Sequence, residues 1–68
     1  MIVGYMRTRK NPTYVAKLTA LFCNYHAIDL VYLRPQDVDI QKNRVSGKVF
    51  INNQWKSVET SLPPFIDR

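Results

Sequence analysis

Arg7, Arg9 and Lys10 stand within four positions near the start of the chain, with Thr8 among them and Asn11 directly behind. Cations joined by small hydroxyl and amide side chains are suited to hold a phosphate or a carboxylate, because each supplies N–H or O–H donors. Their position strengthens that reading. The stretch follows an apolar run, Ile2–Met6, and precedes Asn11-Pro12, which reads as a helix start. A helix N-terminus adds free N–H groups and the positive end of a dipole. Arg34 closes a second apolar run and Arg68 follows a third. If these runs are parallel strands, Arg7, Thr8, Arg9, Lys10, Asn11, Arg34 and Arg68 meet at their carboxyl ends, where open α/β sheets bind ligands. A solvated loop that only keeps the domain soluble accounts for the same charges. The loop has no glycine and Gly4 lies inside the first run, so neither G-x-G-x-x-G nor G-x-x-x-x-G-K-[ST] is present.

The remaining reactive side chains form no catalytic set. His26 is the only histidine and reads as a helix C-terminal residue favoured by the dipole. Cys23 lies three positions earlier, with no third group to complete a Cys/His pair, and reads as a partly buried small residue. A single cysteine excludes an internal disulfide framework and argues against structural zinc. Asp29, Asp37, Asp39, Glu59 and Asp67 read as turn and surface carboxylates, so no catalytic or metal-ligating residue is assigned.

The elements that must position the cations follow from periodicity. Ile2–Met6 predicts a buried strand. Pro12 to about Ala27 predicts a helix with Asn11 at the N-cap, a role that Thr13 could share. Val15, Leu18, Phe22 and Tyr25 recur at helical spacing and are expected to face the core, flanked by Thr19, Leu21 and His26. Lys17, Ala20 and Asn24 are expected to face solvent. Tyr14 joins the expected buried side. Residues 28–33 predict a second strand, parallel to the first because a crossover helix joins them. Val45–Ile51 and Gln54–Glu59 predict a hairpin about Asn52-Asn53, since Asn tolerates positive φ. Residues 38–40 alternate and leave open whether 38–59 is one hairpin or a three-stranded meander. The fold class is therefore α/β: a small Rossmann-like βαβ unit with one main helix on a mixed sheet plus an antiparallel hairpin. The helix covers one face only; the hairpin or a partner must close the other.

Composition bounds the rest. The chain has 68 residues, 10 Lys+Arg against 5 Asp+Glu for a net charge of +5, and 46% hydrophobic residues. That is a folded single domain spanning residues 1–68, with a marginal core. It excludes an enzyme with separate cofactor and substrate lobes. No apolar run approaches the roughly 20 residues of a membrane-spanning helix. The first residues lack the basic segment of a signal peptide, so a cytoplasmic setting is expected and no membrane partner. The charge satisfies the electrostatic requirement for nucleic acid, a second choice.

The order of features resembles the N-terminal, pre-ATP-grasp segment of the YheC/YheD family of endospore-coat-associated ATP-grasp-like proteins. The resemblance rests on Pro35-Gln36-Asp37-Val38-Asp39, Val45-Ser46-Gly47-Lys48-Val49, Asn53-Gln54-Trp55 and Leu62-Pro63-Pro64-Phe65-Ile66-Asp67-Arg68. Where the family closes on Tyr-Asn-Arg, this chain has Ile66-Asp67-Arg68. The resemblance implies a non-catalytic pre-ATP-grasp-like domain that contributes an anionic-substrate-binding edge or an assembly surface. It implies no cofactor in this chain, with ATP and Mg²⁺ held by a downstream ATP-grasp module. The expected partners are a second copy of the chain or that missing module, and an anionic small molecule. A small basic nucleic-acid-binding module and a purely structural self-assembling protein are the alternatives.

Overall fold

The computed structural model describes residues 1–68. Strand β1 (Ile2–Met6) runs parallel to β2 (Asp29–Leu33), in register from Ile2 opposite Asp29 to Met6 opposite Leu33. Helix α1 (Tyr14–Tyr25) crosses between them. Strand β6 (Phe65–Asp67) joins the other side of β1, also parallel, with Tyr5 opposite Asp67. The chain thus forms a mixed α/β domain with one helix and a curled mixed sheet.

A 3-10 turn (Pro35–Asp37) follows β2 and leads into β3 (Val38–Asp39), β4 (Arg44–Ile51) and β5 (Gln54–Ser61). These three strands are a meander with β4 in the middle. The sheet order is β3-β4-β2-β1-β6, with β5 paired to β4 from Arg44 opposite Ser61 to Ile51 opposite Gln54. β3 and β2 share the remaining edge of β4, β3 through Val38 and Asp39 and β2 through Tyr32 opposite Lys48. Gly47 permits that second pairing: a Cβ there would lie 2.5 Å from Val31 Cγ1 and 2.7 Å from the Tyr32 carbonyl oxygen. The β4–β5 connection is the expected two-residue turn, with Asn52 at φ 53° and Asn53 at φ 65°, the left-handed geometry of a type I′ hairpin.

The helix departs from expectation at both ends. Thr13, not Asn11, is the N-cap: its backbone is extended and its Oγ1 accepts the Ala16 N–H at 3.3 Å, satisfying one orphan donor of the first turn. At the other end the helix stops at Tyr25, short of Ala27. His26 is the C-cap, Ala27 adopts φ 58°, the Ile28 N–H bonds the Cys23 carbonyl at 2.8 Å and the Ala27 N–H bonds the Asn24 carbonyl at 3.1 Å. This is a Schellman termination with alanine at the position that usually holds glycine.

α1 also buries a different face from the one its large apolar residues predict. Ala16 and Ala20 are fully buried and Cys23 is partly buried against the sheet. Val15, Leu18, Phe22 and Tyr25 are exposed, Tyr25 at 86%, and Tyr14 and Leu21 are exposed with them. The physical reason lies in the sheet. Tyr5, Leu30, Tyr32 and Phe50 already fill the helix-side layer, with Trp55 packed beside them. Only small side chains let a helix approach such a bulky layer, so the alanines turn inward and the large apolar residues turn out. Ala20, expected at the solvent face, is buried against the sheet; Asn24 stays exposed as expected, while its amide reaches the sheet and donates to the Phe50 carbonyl at 3.0 Å.

The opposite face of β2 is also covered. Val31, Leu33 and Val45 form a second cluster, with Met6, Val38, Val49, Val58 and Leu62 packed against it. The curl of the β4–β5 hairpin brings Val58 to that face, so the hairpin closes what the helix leaves open.

Candidate functional site

Strands β2, β1 and β6 run in one direction, so their carboxyl ends share one edge. Arg7, Arg34 and Asp67-Arg68 stand there, and the Arg7 N–H donates to the Leu33 carbonyl at 3.0 Å. The expected convergence of strand ends is therefore present. What the side chains do there is more differentiated than a ring of free cations.

Arg7 is engaged within the fold. Its guanidinium lies 3.8 Å from the centre of the Tyr5 ring and donates to the Met6 carbonyl at 2.7 Å and the Asp67 carbonyl at 3.2 Å. Its Nη2 is 3.5 Å from Asp67 Oδ2. Arg34 is held likewise. Asp37 Oδ2 accepts from the Arg34 backbone N–H at 3.0 Å and from Nε at 3.3 Å, and Oδ1 accepts from Nη2 at 3.3 Å. Both arginines frame the edge with their charge already compensated. Arg9, Lys10 and Arg68 have no carboxylate within ion-pair distance; the three ion pairs are Arg7–Asp67, Arg34–Asp37 and Arg44–Glu59.

Two clefts flank the loop that follows β1. One, of about 420 Å³, lies between that loop and the start of α1, against Arg7, Thr8, Arg9, Thr13 and the Tyr5 ring. The second, of about 400 Å³, lies between Lys10, the Arg34–Asp37 pair and the hairpin residues Ser46, Lys48, Ser57 and Glu59. Tyr32 borders both, and its hydroxyl donates to the Arg9 carbonyl at 2.7 Å, fixing the loop as the wall between them. Asn11 is exposed and borders neither cleft, and Arg68 is an exposed terminal side chain.

Ser46, Lys48 and Ser57 escape the sequence reading. Their signal is the alternation of β4 and β5. Ser46 and Lys48 share a face with Phe50, while Ser57 and Glu59 share one with Trp55, and Lys48 pairs with Ser57. The apolar half of that face packs under α1 and the polar half extends beyond it as the cleft wall. No carboxylate pairs with Lys48, whereas Glu59 is paired with Arg44. Lys10 and Lys48 are thus the unpaired charges of the second cleft, with two hydroxyls beside them.

The other singled-out groups stand apart. Partial burial raises the Cys23 thiol pKa above its ordinary value, which favours the thiol over the nucleophilic thiolate. The His26 ring packs tilted against Phe22 at 4.5 Å and edge-on to Tyr25 at 5.1 Å. No group of three His, Cys, Asp or Glu residues comes together as a metal-ligand set, and no helix is long and apolar enough to cross a membrane. The arrangement defines a small α/β domain with a cationic strand-end edge. Comparison with protein-family models, with curated proteins and with solved structures gives no match to this chain.

Proposed function

We propose that the chain is a non-catalytic binding domain whose strand-end edge holds a phosphate- or carboxylate-bearing ligand. One observation carries this: the cleft walled by Lys10, Lys48, Ser46 and Ser57 presents two cations without carboxylate partners beside two hydroxyls. An anion seated there gains charge-assisted hydrogen bonds that nothing in the chain supplies. The neighbouring Arg34–Asp37 pair is fixed and shapes the rim. Arg9 and Thr8 in the adjoining cleft extend the surface toward the N-terminus of α1 for a longer anion.

In this reading the domain is Rossmann-like and pre-ATP-grasp-like, in keeping with the resemblance to the YheC/YheD segment. It orients an anionic substrate, and any ATP and Mg²⁺ belong to another module. The test is a titration with pyrophosphate and with citrate, followed by backbone amide shifts and calorimetry. Lys10→Ala and Lys48→Ala should each weaken binding about tenfold, the loss of one charge-assisted hydrogen bond. Lys56→Ala, outside the cleft, should leave it unchanged. Equal affinity in all four proteins refutes the site. A single-stranded oligonucleotide bound with a steep salt slope, and insensitive to both cleft variants, would favour the nucleic-acid reading instead.

A further inference from the structure

The outward face of α1 carries Tyr14, Leu18, Leu21 and Tyr25 in line, with Val15 and Phe22 along one flank, and all six are exposed. The sequence spacing of the central four is 4, 3, 4 residues and their identities read Tyr, Leu, Leu, Tyr. The pattern is the same from either end. A two-fold axis across this stripe sets residue i of one copy against residue j of the other and j against i, so like meets like at every step. We propose that α1 pairs antiparallel with α1 of a second copy of this chain, Leu18 against Leu21 of the partner and Tyr14 against Tyr25 of the partner.

Three further observations favour a second copy as the occupant. The first is area. Tyr14, Phe22 and Tyr25 are 71%, 65% and 86% exposed, so these rings alone present on the order of 400 Å². Val15, Leu18 and Leu21 raise the patch toward the roughly 800 Å² that each partner of a stable complex buries, beyond what monomers ordinarily leave to water.

The second is charge. Lys17 is the only charged residue of α1; it is half-buried on the flank of the helix, its ammonium 5.7 Å from the centre of the Phe50 ring. None of the six face residues is charged, so two copies of a +5 chain can meet there with Lys17 and His26 at its margins rather than at its centre.

The third is polarity along the axis. α1 has no acidic residue in its first turn and no basic residue in its last, so its dipole is uncompensated within the chain. Antiparallel pairing places the Arg9-Lys10 loop of each copy toward the carbonyl end of the other helix. Parallel pairing would set the two basic loops side by side.

The test is mass by light scattering and sedimentation equilibrium from micromolar to millimolar protein, with helix content followed by circular dichroism. The expected species is a dimer of 8.0 kDa chains. Leu18→Glu should raise the dissociation constant at least a hundredfold while the fold persists, because Leu18 is exposed in the single chain. Leu18→Glu with Leu21→Lys should recover much of the dimer, since the antiparallel register sets Glu against Lys at both contacts. Failure of the pair to recover affinity rejects the antiparallel register. Wild-type protein that remains a single 8.0 kDa chain throughout, or a dimer indifferent to Leu18→Glu and equally to Phe22→Glu, overturns the interface, whether another protein or a lipid surface then covers the face.

Discussion

Arg7 and Asp67, sixty residues apart in the chain, close the strand-end edge: Arg7 Nη2 lies 3.5 Å from Asp67 Oδ2 while Nη1 donates to the Asp67 carbonyl at 3.2 Å. β6 is three residues long and pairs only with β1, so this contact fastens the last strand. The ion pair is half exposed and contributes little by itself. The stacking of Arg7 on Tyr5 and its bonds to two backbone carbonyls contribute more. Arg7→Ala is expected to cost about 1–2 kcal/mol in urea unfolding, and Asp67→Asn about 0.5 kcal/mol or less. Arg7→Lys should fall nearer to alanine than to wild type, because an ammonium lacks the planar fork. Equal losses for Arg7→Ala and Asp67→Asn would instead make the ion pair the fastening.

Gly47 lets three strands meet on β4. An alanine Cβ there would stand 2.7 Å from the Tyr32 carbonyl oxygen as well as 2.5 Å from Val31 Cγ1. The side chain can be trimmed but the carbonyl cannot. Gly47→Ala should therefore destabilise by about 3 kcal/mol and lower Tm by more than about 10 °C. Adding Val31→Ala should bring no recovery. A rescued double variant would show that the side-chain contact alone sets the limit.

Ala27 supports the opposite change. Its φ of 58° is left-handed, and the two Schellman bonds hold it there. An L-residue in that conformation is disfavoured by roughly 1 kcal/mol, which glycine does not incur. Ala27→Gly should stabilise the domain by about 0.5–1 kcal/mol, read as a higher urea midpoint with unchanged slope. A loss of stability would mean that the Ala27 methyl contributes packing greater than the conformational strain.

The elements of this fold were legible where a local rule acts alone. Asn52-Asn53 specifies its own turn, Pro35 ends β2, and a helix joining two apolar runs makes β1 and β2 parallel, which brings Arg7 and Arg34 to one edge. The orientation of α1 was not legible in the same way. Periodicity identifies an apolar stripe but not which surface receives it, and Val15, Leu18, Phe22 and Tyr25 form the stronger stripe by hydrophobicity. The deciding quantity is volume. Tyr5, Tyr32 and Phe50 come from three separate strands, and only their meeting leaves a layer that admits Ala16 and Ala20. The candidate site divides along the same line. Arg7 to Lys10 stood out as a charge cluster, whereas Lys48 belongs with them only once β4 is placed beside β2. Nor does charge count reveal that Asp37 and Asp67 already occupy two of the arginines.

The bulk of the sheet layer beneath α1 sets opposite outcomes for two substitutions on one helix. Ala20 is 1% exposed between α1 and the layer of Tyr5, Leu30 and Tyr32. Ala20→Leu would normally strengthen the intrinsic helix only slightly less than alanine does, yet here it must push α1 off the sheet. It should cost about 2–3 kcal/mol, and Ala16→Leu a similar amount. Leu21→Ala on the outward face removes a larger side chain but leaves no buried cavity in the single chain. In dilute protein it should change stability by no more than about 0.5 kcal/mol. Chemical denaturation of the three variants, at a concentration where sedimentation shows a single chain, decides the matter. Tolerance of Ala20→Leu together with a large loss for Leu21→Ala would return the apolar stripe to the core and remove the surface from which the dimer is argued.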